Sequence, residues 1–484
     1  MADATTLLSE SGSLAGRPAE IDPVDALVLA WLAEEPWRIG EVAVLPEGQP
    51  QVLGRGDGLA TDSRVRFFRQ RPGTIESTPA LVEGGLSRRQ LIVTATSSGL
   101  KVESIGRCQM RVNGEACLYA LLRPGDTIHL RRQLVLLYVR RPVLIPEGRH
   151  FPRESWGDFG EADAHGILGE SAATWRLRER LGFVAKGAGH TLLIGPSGTG
   201  KELAARSIHA LSGRASKPFV ARNAATLPIG LIDAELFGNA KNYPNAGMAE
   251  RPGLIGESDG GTLFLDEIAE LPAEQQSHLL RVLDRGGEYQ RLGESGTRSS
   301  AFRLVGATNR DPSMLNHDLR ARLTSVIELS PLSSRREDIP LLARHLLRSA
   351  AERSPEVAGR FIARGAKGGP HARFAPAFIE RLLRQNLTTN MRQVEAVLLE
   401  GMSESTGNDI QSPRQWPNEG VSSPPGRATP TPTPPTELSV DRIRAALDAA
   451  GDNVVQAAHA LGLPSRFALY RLMRKHKMRE RAPE

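Results

Sequence analysis

The stretch TLLIGPSGTGKE sets Gly195, Pro196, Ser197, Gly198, Thr199 and Gly200 directly ahead of Lys201 and Glu202. Glycines at this spacing let successive backbone N–H groups wrap a phosphate, and a helix beginning at the lysine adds the positive end of its dipole. Lys201 is placed to neutralise the β- and γ-phosphates of ATP. Further along, GGTLFLDE ends a run of apolar residues on Asp266 and Glu267. An aspartate there can hold Mg2+ through water, and a glutamate beside it can polarise the attacking water. Such an acidic pair alone is an ordinary solvated turn; after a phosphate-binding loop it reads as hydrolytic. A Ser or Thr usually follows the lysine, so Glu202 departs from the strict pattern.

These side chains need a buried strand before the glycines, a helix after them, and a neighbouring strand ending in the acids. From Gly166 to about Ser405, helical patterns alternate with the strand-like runs TLLIG, GTLFLDE and FRLVGATN. That alternation predicts an α/β domain with a parallel sheet, followed by a helical part. Between Gln51 and Arg140 the pattern changes to QLIVTAT, GLKVESI, MRVNG and QLVLLYVRR, punctuated by Asn-Gly and Gly-Asp. Branched residues in period-two alternation between such turns predict an all-β sandwich. Residues 1–45 read as an N-terminal extension with one apolar run near Ala26 to Leu32, and 143–165 as a linker. Residues 403–436 are dense in Pro, Ser, Thr and Gly, which predicts a disordered linker. Residues 437–484 are helical in pattern and end basic.

A chain of 484 residues with 40% hydrophobic residues supports several packed domains. The net charge of +6 suits a partner bearing phosphates. Two cysteines, Cys108 and Cys117, are too few for a disulfide scaffold. With no cationic apolar leader and no run long enough to cross a bilayer, the expectation is a soluble, cytoplasmic protein with no membrane partner.

The segments GPSGTGKELAARSIHALSGRASKPFVARNAATLP, ELFG, DGGTLFLDEIAELPAEQQSHLLRVL, GATNRD and REDIPLLARHLL resemble the central AAA+ domain of NtrC-type, sigma-54-dependent transcription activators, over residues 166–402. The resemblance makes Glu202 normal and implies a self-associated ring, commonly a hexamer, hydrolysing ATP between subunits. It puts Asn309 at the sensor I position and, through NMRQVE, Arg392 at the sensor II position. The family's preceding Trp-Pro-Gly is Leu387, Thr388 and Thr389. Where the family reads FREDLYYRL this chain reads LNHDLRARL: Arg322 matches the second arginine finger, the first is Asn316, and Arg320 is either a substitute or a surface charge.

The segments LGRG, LSRRQ, RVNGE and LRPGDTIHL resemble a forkhead-associated (FHA) domain over residues 46–142. That resemblance implies binding of a phosphothreonine protein or peptide, with Arg55, Ser87, Arg88 and Arg107 near the phosphate. The family's His after Ser-Arg-x is Gln90, and Cys108 stands where a peptide-contacting Asn is usual. The C-terminal segment, with an Asp452-Asn453 cap and Gly462 in a turn, has helix-turn-helix character. It resembles the Fis-type DNA-binding domain, with Ala457, Ala458, Leu461 and Gly462 on its packing core. Ser465, Arg466 and Tyr470 then face the major groove of upstream promoter DNA, and Arg471, Arg474 and Lys475 meet phosphates.

Together these resemblances imply a phosphothreonine-sensing, ATP-dependent regulator acting on sigma-54 RNA polymerase. Two other readings stay open: a DNA-bound ATP-binding repressor or co-regulator, and a phosphoprotein-docking scaffold. Asn316 and an altered polymerase-contact loop favour the repressor or co-regulator reading. The family's GAFTGA is here Asn242, Tyr243, Pro244, Asn245, Ala246 and Gly247, with proline where the tip Phe belongs.

Overall fold

The computed structural model describes residues 22–56, 63–284, 286–364, 369–416, 440–450, 454–461, 469 and 473. The N-terminal part is two stacked antiparallel sheets. One follows the order β5-β4-β2-β1-β12-β11-β8-β9 and the other β10-β7-β6-β3. The first contains β1 (Val24–Leu32), β2 (Val42–Val44), β4 (Phe68–Arg71), β5 (Thr74–Ser77), β8 (Met110–Val112), β9 (Glu115–Ala116), β11 (Thr127–Leu130) and β12 (Leu134–Arg141). The second contains β3 (Gln51–Leu53), β6 (Leu91–Thr96), β7 (Gly99–Ser104) and β10 (Tyr119–Leu122). On β6, buried and half-buried residues alternate along the strand, as a sheet with one face on the core requires.

The sandwich starts earlier than residue 46. The apolar run expected to lie in an extension is β1, hydrogen-bonded to β12 on one side and β2 on the other. Its run is nearly continuous rather than alternating because both faces are covered. Leu27 and Leu29 enter the main core, while Ala26 and Val28 pack with Phe68. The expected linker at 143–165 is likewise packed. It runs beside α1 (Ala172–Lys186), where Glu179 accepts from the amides of Arg149, His150 and Phe151.

The α/β part is a five-stranded parallel sheet in the order β14-β15-β18-β13-β19. Its strands are β13 (Thr191–Ile194), β14 (Phe219–Asn223), β15 (Thr262–Asp266), β18 (Arg303–Thr308) and β19 (Ser325–Glu328). A small hairpin, β16 (Glu288–Tyr289) and β17 (Arg298–Ser299), stands outside it. The chain leaves β13, β15 and β18 on the same carboxyl edge, so the loop after Ile194, the acids after Leu265 and Asn309 emerge side by side. The helices of this part are α1, α2 (Lys201–Ala210), α3 (Ile232–Phe237), α4 (Gly253–Glu257), α5 (Ala273–Asp284) and α6 (His317–Arg322). The helical part follows as α7 (Ile339–Arg353), α8 (Pro376–Arg384) and α9 (Met391–Glu404).

The chain from Ser405 to Trp416 was expected to open the disordered linker. Instead it closes the helical part. Ile410 exchanges backbone hydrogen bonds with Arg373 and Ala375, and Trp416, 3% exposed, stacks on Phe378. Beyond it, α10 (Val440–Ala449) and α11 (Val454–Ala460) pack Ile443 and Leu447 against Ala457, Ala458, Leu469 and Met473. Ala457 and Ala458 are fully buried.

Candidate functional site

The phosphate loop begins where β13 runs out. Gly198 and Gly200 hold φ of +76° and +98°, a region open to glycine and costly for other residues. A Cβ on Gly198 would also sit 2.3 Å from the carbonyl oxygen of Thr389, so glycine is required by the helical part as well. Thr199 is closed onto the loop through its hydroxyl, which donates to Pro196 O at 2.8 Å. Lys201, 7% exposed, donates to Gly195 O at 3.0 Å and lies 4.0 Å from Glu267. Glu202 points away and pairs with Arg206.

Asp266 and Glu267 stand together at the end of β15, where Glu267 N donates to Asp266 Oδ1 at 3.0 Å. Glu267 adopts φ +51°, an uncommon conformation for a non-glycine residue that turns its carboxylate toward the lysine. Its Oε2 accepts from the backbone N–H of Asn309 at 3.2 Å. Arg392 reaches the loop from the helical part, donating to Ser197 Oγ at 2.7 Å. The structure thus brings Lys201, Asp266, Glu267, Asn309 and Arg392 to one edge. Arg322 is elsewhere, paired with Asp284 of α5 and half exposed. Asn316, where the first finger is expected, instead caps α6, its side chain accepting from Asp318 N at 2.9 Å. Arg320 is exposed on the same helix.

Two residues not singled out in the sequence also contribute. Arg335 is buried between Thr199 O at 3.4 Å and Thr174 Oγ1 at 3.3 Å, and borders a cleft of about 520 Å³ between α1 and β19. Burial lowers its pKa from the ordinary arginine value, an effect partly opposed by Asp338. Asn390, at φ +50°, donates to Ser197 O at 2.9 Å and accepts from Leu332 N at 2.7 Å. Neither follows from local spacing, because each partner is far away in the chain.

At one end of the sandwich, Ser87, Arg88, Arg55 and Arg107 come together. Arg55 N donates to Ser87 O at 3.2 Å, and Arg107 N donates to Ser87 Oγ at 2.9 Å. Gln90, fully buried, ties these loops: its Nε2 donates to Cys108 O, while its Oε1 accepts from Cys108 N and Ser87 N. It thus holds the Ser87 and Cys108 loops against each other. Arg64, which no motif marked, donates to the carbonyls of Gly56 and Arg88 at 2.7 and 2.6 Å and fixes both loops. Cys108 and Cys117 are both free, and burial raises each thiol to a pKa of about 11, which disfavours the thiolate at neutral pH.

The loop from Asn242 to Gly247 is a closed, polar turn. Asn242 N donates to Met248 O at 2.9 Å, Gly247 N to Asn242 Oδ1 at 3.0 Å, and Met248 N to Asn245 O at 3.2 Å. At its base, Asn239 Nδ2 donates to Ala240 O and Ala249 O. Pro244, Asn245 and Ala246 are exposed. Tyr243 is 40% exposed, and its ring lies so close to Gly293 of the β16–β17 loop that a Cβ there would be 2.4 Å away. Ser465, Arg466, Tyr470, Arg471, Arg474 and Lys475 lie outside the described residues. Among the described residues no cluster of three metal-ligating side chains occurs, and no helix is long and apolar enough to cross a membrane.

Residues 167–331 match the family described as the Sigma-54 interaction domain. The chain is 36% identical over 434 residues to the transcriptional regulatory protein ZraR of Salmonella typhimurium strain LT2, covering 86% of each chain. It is 35% identical over 358 residues to the Nif-specific regulatory protein of Azotobacter vinelandii, covering 69% of this chain and 64% of that protein. The crystal structure of NtrX from Brucella abortus in complex with ATP is similar at 28% identity and a TM-score of 0.45, over 67% of this chain and 70% of that one.

Proposed function

Because this chain belongs to the family of transcriptional regulators that carry a sigma-54 interaction domain, we propose that it is an ATP-binding, DNA-bound member gated by a phosphorylated threonine, and that it remodels sigma-54 polymerase poorly or not at all by itself. The observation that carries this reading is the closed polar loop at Asn242–Gly247, with its one aromatic ring folded onto Gly293. A contact loop of this family needs a mobile tip with an apolar ring to bury in its partner. Proline fixes φ and removes a donor where the family's Phe stands. The flanking positions, glycine in the family, are Asn242 and Ala246, and the asparagine side chain pins the turn.

The edge of the parallel sheet fits a magnesium nucleotide by its donor set. Loop amides around Gly198 and Gly200 and the buried ammonium of Lys201 suit the phosphates, Asp266 suits the cation, and Glu267 suits water activation. ATP, when bound, supplies the phosphoanhydride whose hydrolysis drives movement in this family. The chain's own residues set how fast. With Asn316 committed to capping α6, only Arg322 remains at the two finger positions for a neighbouring subunit in a ring, so turnover is slow.

Arg55, Ser87, Arg88 and Arg107, gathered at one end of the sandwich, support capture of a dianionic phosphate on threonine. The basic C-terminal segment supports attachment to promoter DNA. The reading then is a repressor, or a subunit working beside a competent relative. In-vitro transcription with purified sigma-54 polymerase tests it. The expected result is little or no open complex from this protein alone. Robust open-complex formation by the wild type, lost on Tyr243→Ala, overturns it and makes Tyr243 the substitute contact.

A further inference from the structure

Glu380 stands on α8 and is 5% exposed, yet the partners of its carboxylate come from the sandwich. Its Oε1 accepts from Gly114 N at 2.7 Å and from Thr127 Oγ1 at 3.5 Å, and its Oε2 lies 2.8 Å from His129 Nδ1. A buried carboxylate is costly without such donors, so these contacts decide where α8 sits. Around them the apolar core is continuous. Leu27, Leu29 and Leu136 of the sandwich belong to one buried cluster with Phe378, Leu382 and Val394 of the helical part. Two further links join the sandwich to the ATPase part: Arg71 to Glu170 at 2.6 Å, and Arg141 to Glu337 at 3.2 Å.

Both ends of this connection lead to a site. In the helical part, α9 follows α8, and its first residues hold the phosphate loop. Met391 N donates to Gly198 O at 3.2 Å, beside the Asn390 and Arg392 contacts to Ser197. In the sandwich, Gly114 closes the turn after β8, and Arg107 and Cys108 stand just before that strand. A three-residue strand therefore separates the corner that gathers Ser87 and Arg107 from the anchor that holds Glu380.

The geometry points to the sandwich as a brace that holds the helical part on the phosphate loop, so that occupancy of the sandwich corner and of the nucleotide site are coupled. A helical part already positioned does not have to be ordered when nucleotide binds, which raises affinity. Coupling of this kind is reciprocal: whatever a bound phosphopeptide does to ATP affinity, ATP does to phosphopeptide affinity. The brace itself stands on the contacts of Glu380; the coupling to phosphopeptide rests on the phosphothreonine reading given above.

The test uses the full chain and ATP with Mg2+, measured by calorimetry. Glu380→Ala and His129→Ala, each verified as folded by its thermal transition, should each weaken ATP binding about tenfold. The double variant should be little worse than either single one, because the two side chains act as one contact. If Glu380→Ala does not fold, His129→Ala and Thr127→Val carry the measurement. Folded variants with wild-type ATP affinity overturn the brace. A phosphothreonine peptide should shift ATP affinity about fivefold or more in the wild type and leave Glu380→Ala unmoved. A peptide that binds without shifting ATP affinity overturns the coupling. A peptide that does not bind in either form removes the phosphothreonine reading, while the ATP affinities of the variants still decide the brace.

Discussion

At the scale of single residues, the nucleotide edge depends on a few side chains with separable duties. Lys201 is the buried cation of the phosphate loop, held by Gly195 O and within 4.0 Å of Glu267. Lys201→Ala should therefore abolish ATP binding, measured by calorimetry. Glu267→Gln keeps the shape and the contact to the Asn309 amide but loses the charge that polarises water. It should bind ATP normally and lower phosphate release about 100-fold or more, the size usual for losing a general base. Gly293→Ala probes the other site. Its new methyl would collide with the Tyr243 ring, so a fluorescence change at Tyr243 and greater protease sensitivity of the 242–247 loop are expected. Lys201, Asp266 and Glu267 were legible because their chemistry needs them at fixed points around a strand end. Arg335 and Arg64 were not, since each is defined by partners distant in sequence and an isolated Arg carries no local signature; Asn390 opens the NMRQVE motif, but its bonds to Ser197 and Leu332 are likewise set by distant residues.

At the scale of elements, the parallel sheet and the strands after Gln51 were readable from apolar runs between turn residues. The misread segments share one cause. β1, the stretch along α1, and the tail to Trp416 are shaped by surfaces far away in the chain, so composition alone left them as extension and linkers. The loop from Thr78 to Ser87, inside the expected sandwich, is likewise held by residues distant in the chain, and its anchoring predicts a pH effect. Arg38 donates to Pro79 O at 2.8 Å, Glu35 accepts from Val82 N at 3.2 Å, and Glu83 accepts from Glu34 N at 2.9 Å. Burial raises the pKa of Glu83 to about 7, with the Glu34 and Glu35 charges adding to it against the hydrogen bond from the Glu34 amide. The folded state thus holds a proton that the unfolded chain, near 4.5, has released. Stability from this group is present below about pH 4.5 and is lost as pH rises toward 7. Glu83→Gln should raise stability at pH 8 by about 1–2 kcal/mol and flatten that decline, read from melting temperature against pH. His190 works in the opposite sense. Burial first, then the charges of Arg303 and Arg214, lower its pKa to about 4, so its contribution is present above 6.5 and falls as pH drops toward 4.

At the scale of the whole molecule, the sequence reads as separate domains joined by linkers, and the structure joins two of them. One buried apolar cluster includes Leu27 and Leu137 of the sandwich together with Leu341, Phe378 and Trp416 of the helical part. A contiguous core unfolds as a unit, because exposing one side of it removes the burial that stabilises the other. Phe378 lies at this junction, 0% exposed and stacked on both Phe374 and Trp416. Phe378→Ala should cost about 3–5 kcal/mol, the usual range for emptying an aromatic site in a core. Its distinctive consequence is where the loss appears. Hydrogen exchange should quicken in β11 and β12 of the sandwich as much as in α8 and α9, since these elements share the cluster. The α10–α11 pair has a separate small core, built on Ile443 and Ala458 with Leu118 of the sandwich against it, and should keep its exchange rates. Protection lost in α8 and α9 alone, with β11 and β12 unchanged, would mean that the sandwich folds independently and only rests on the helical part.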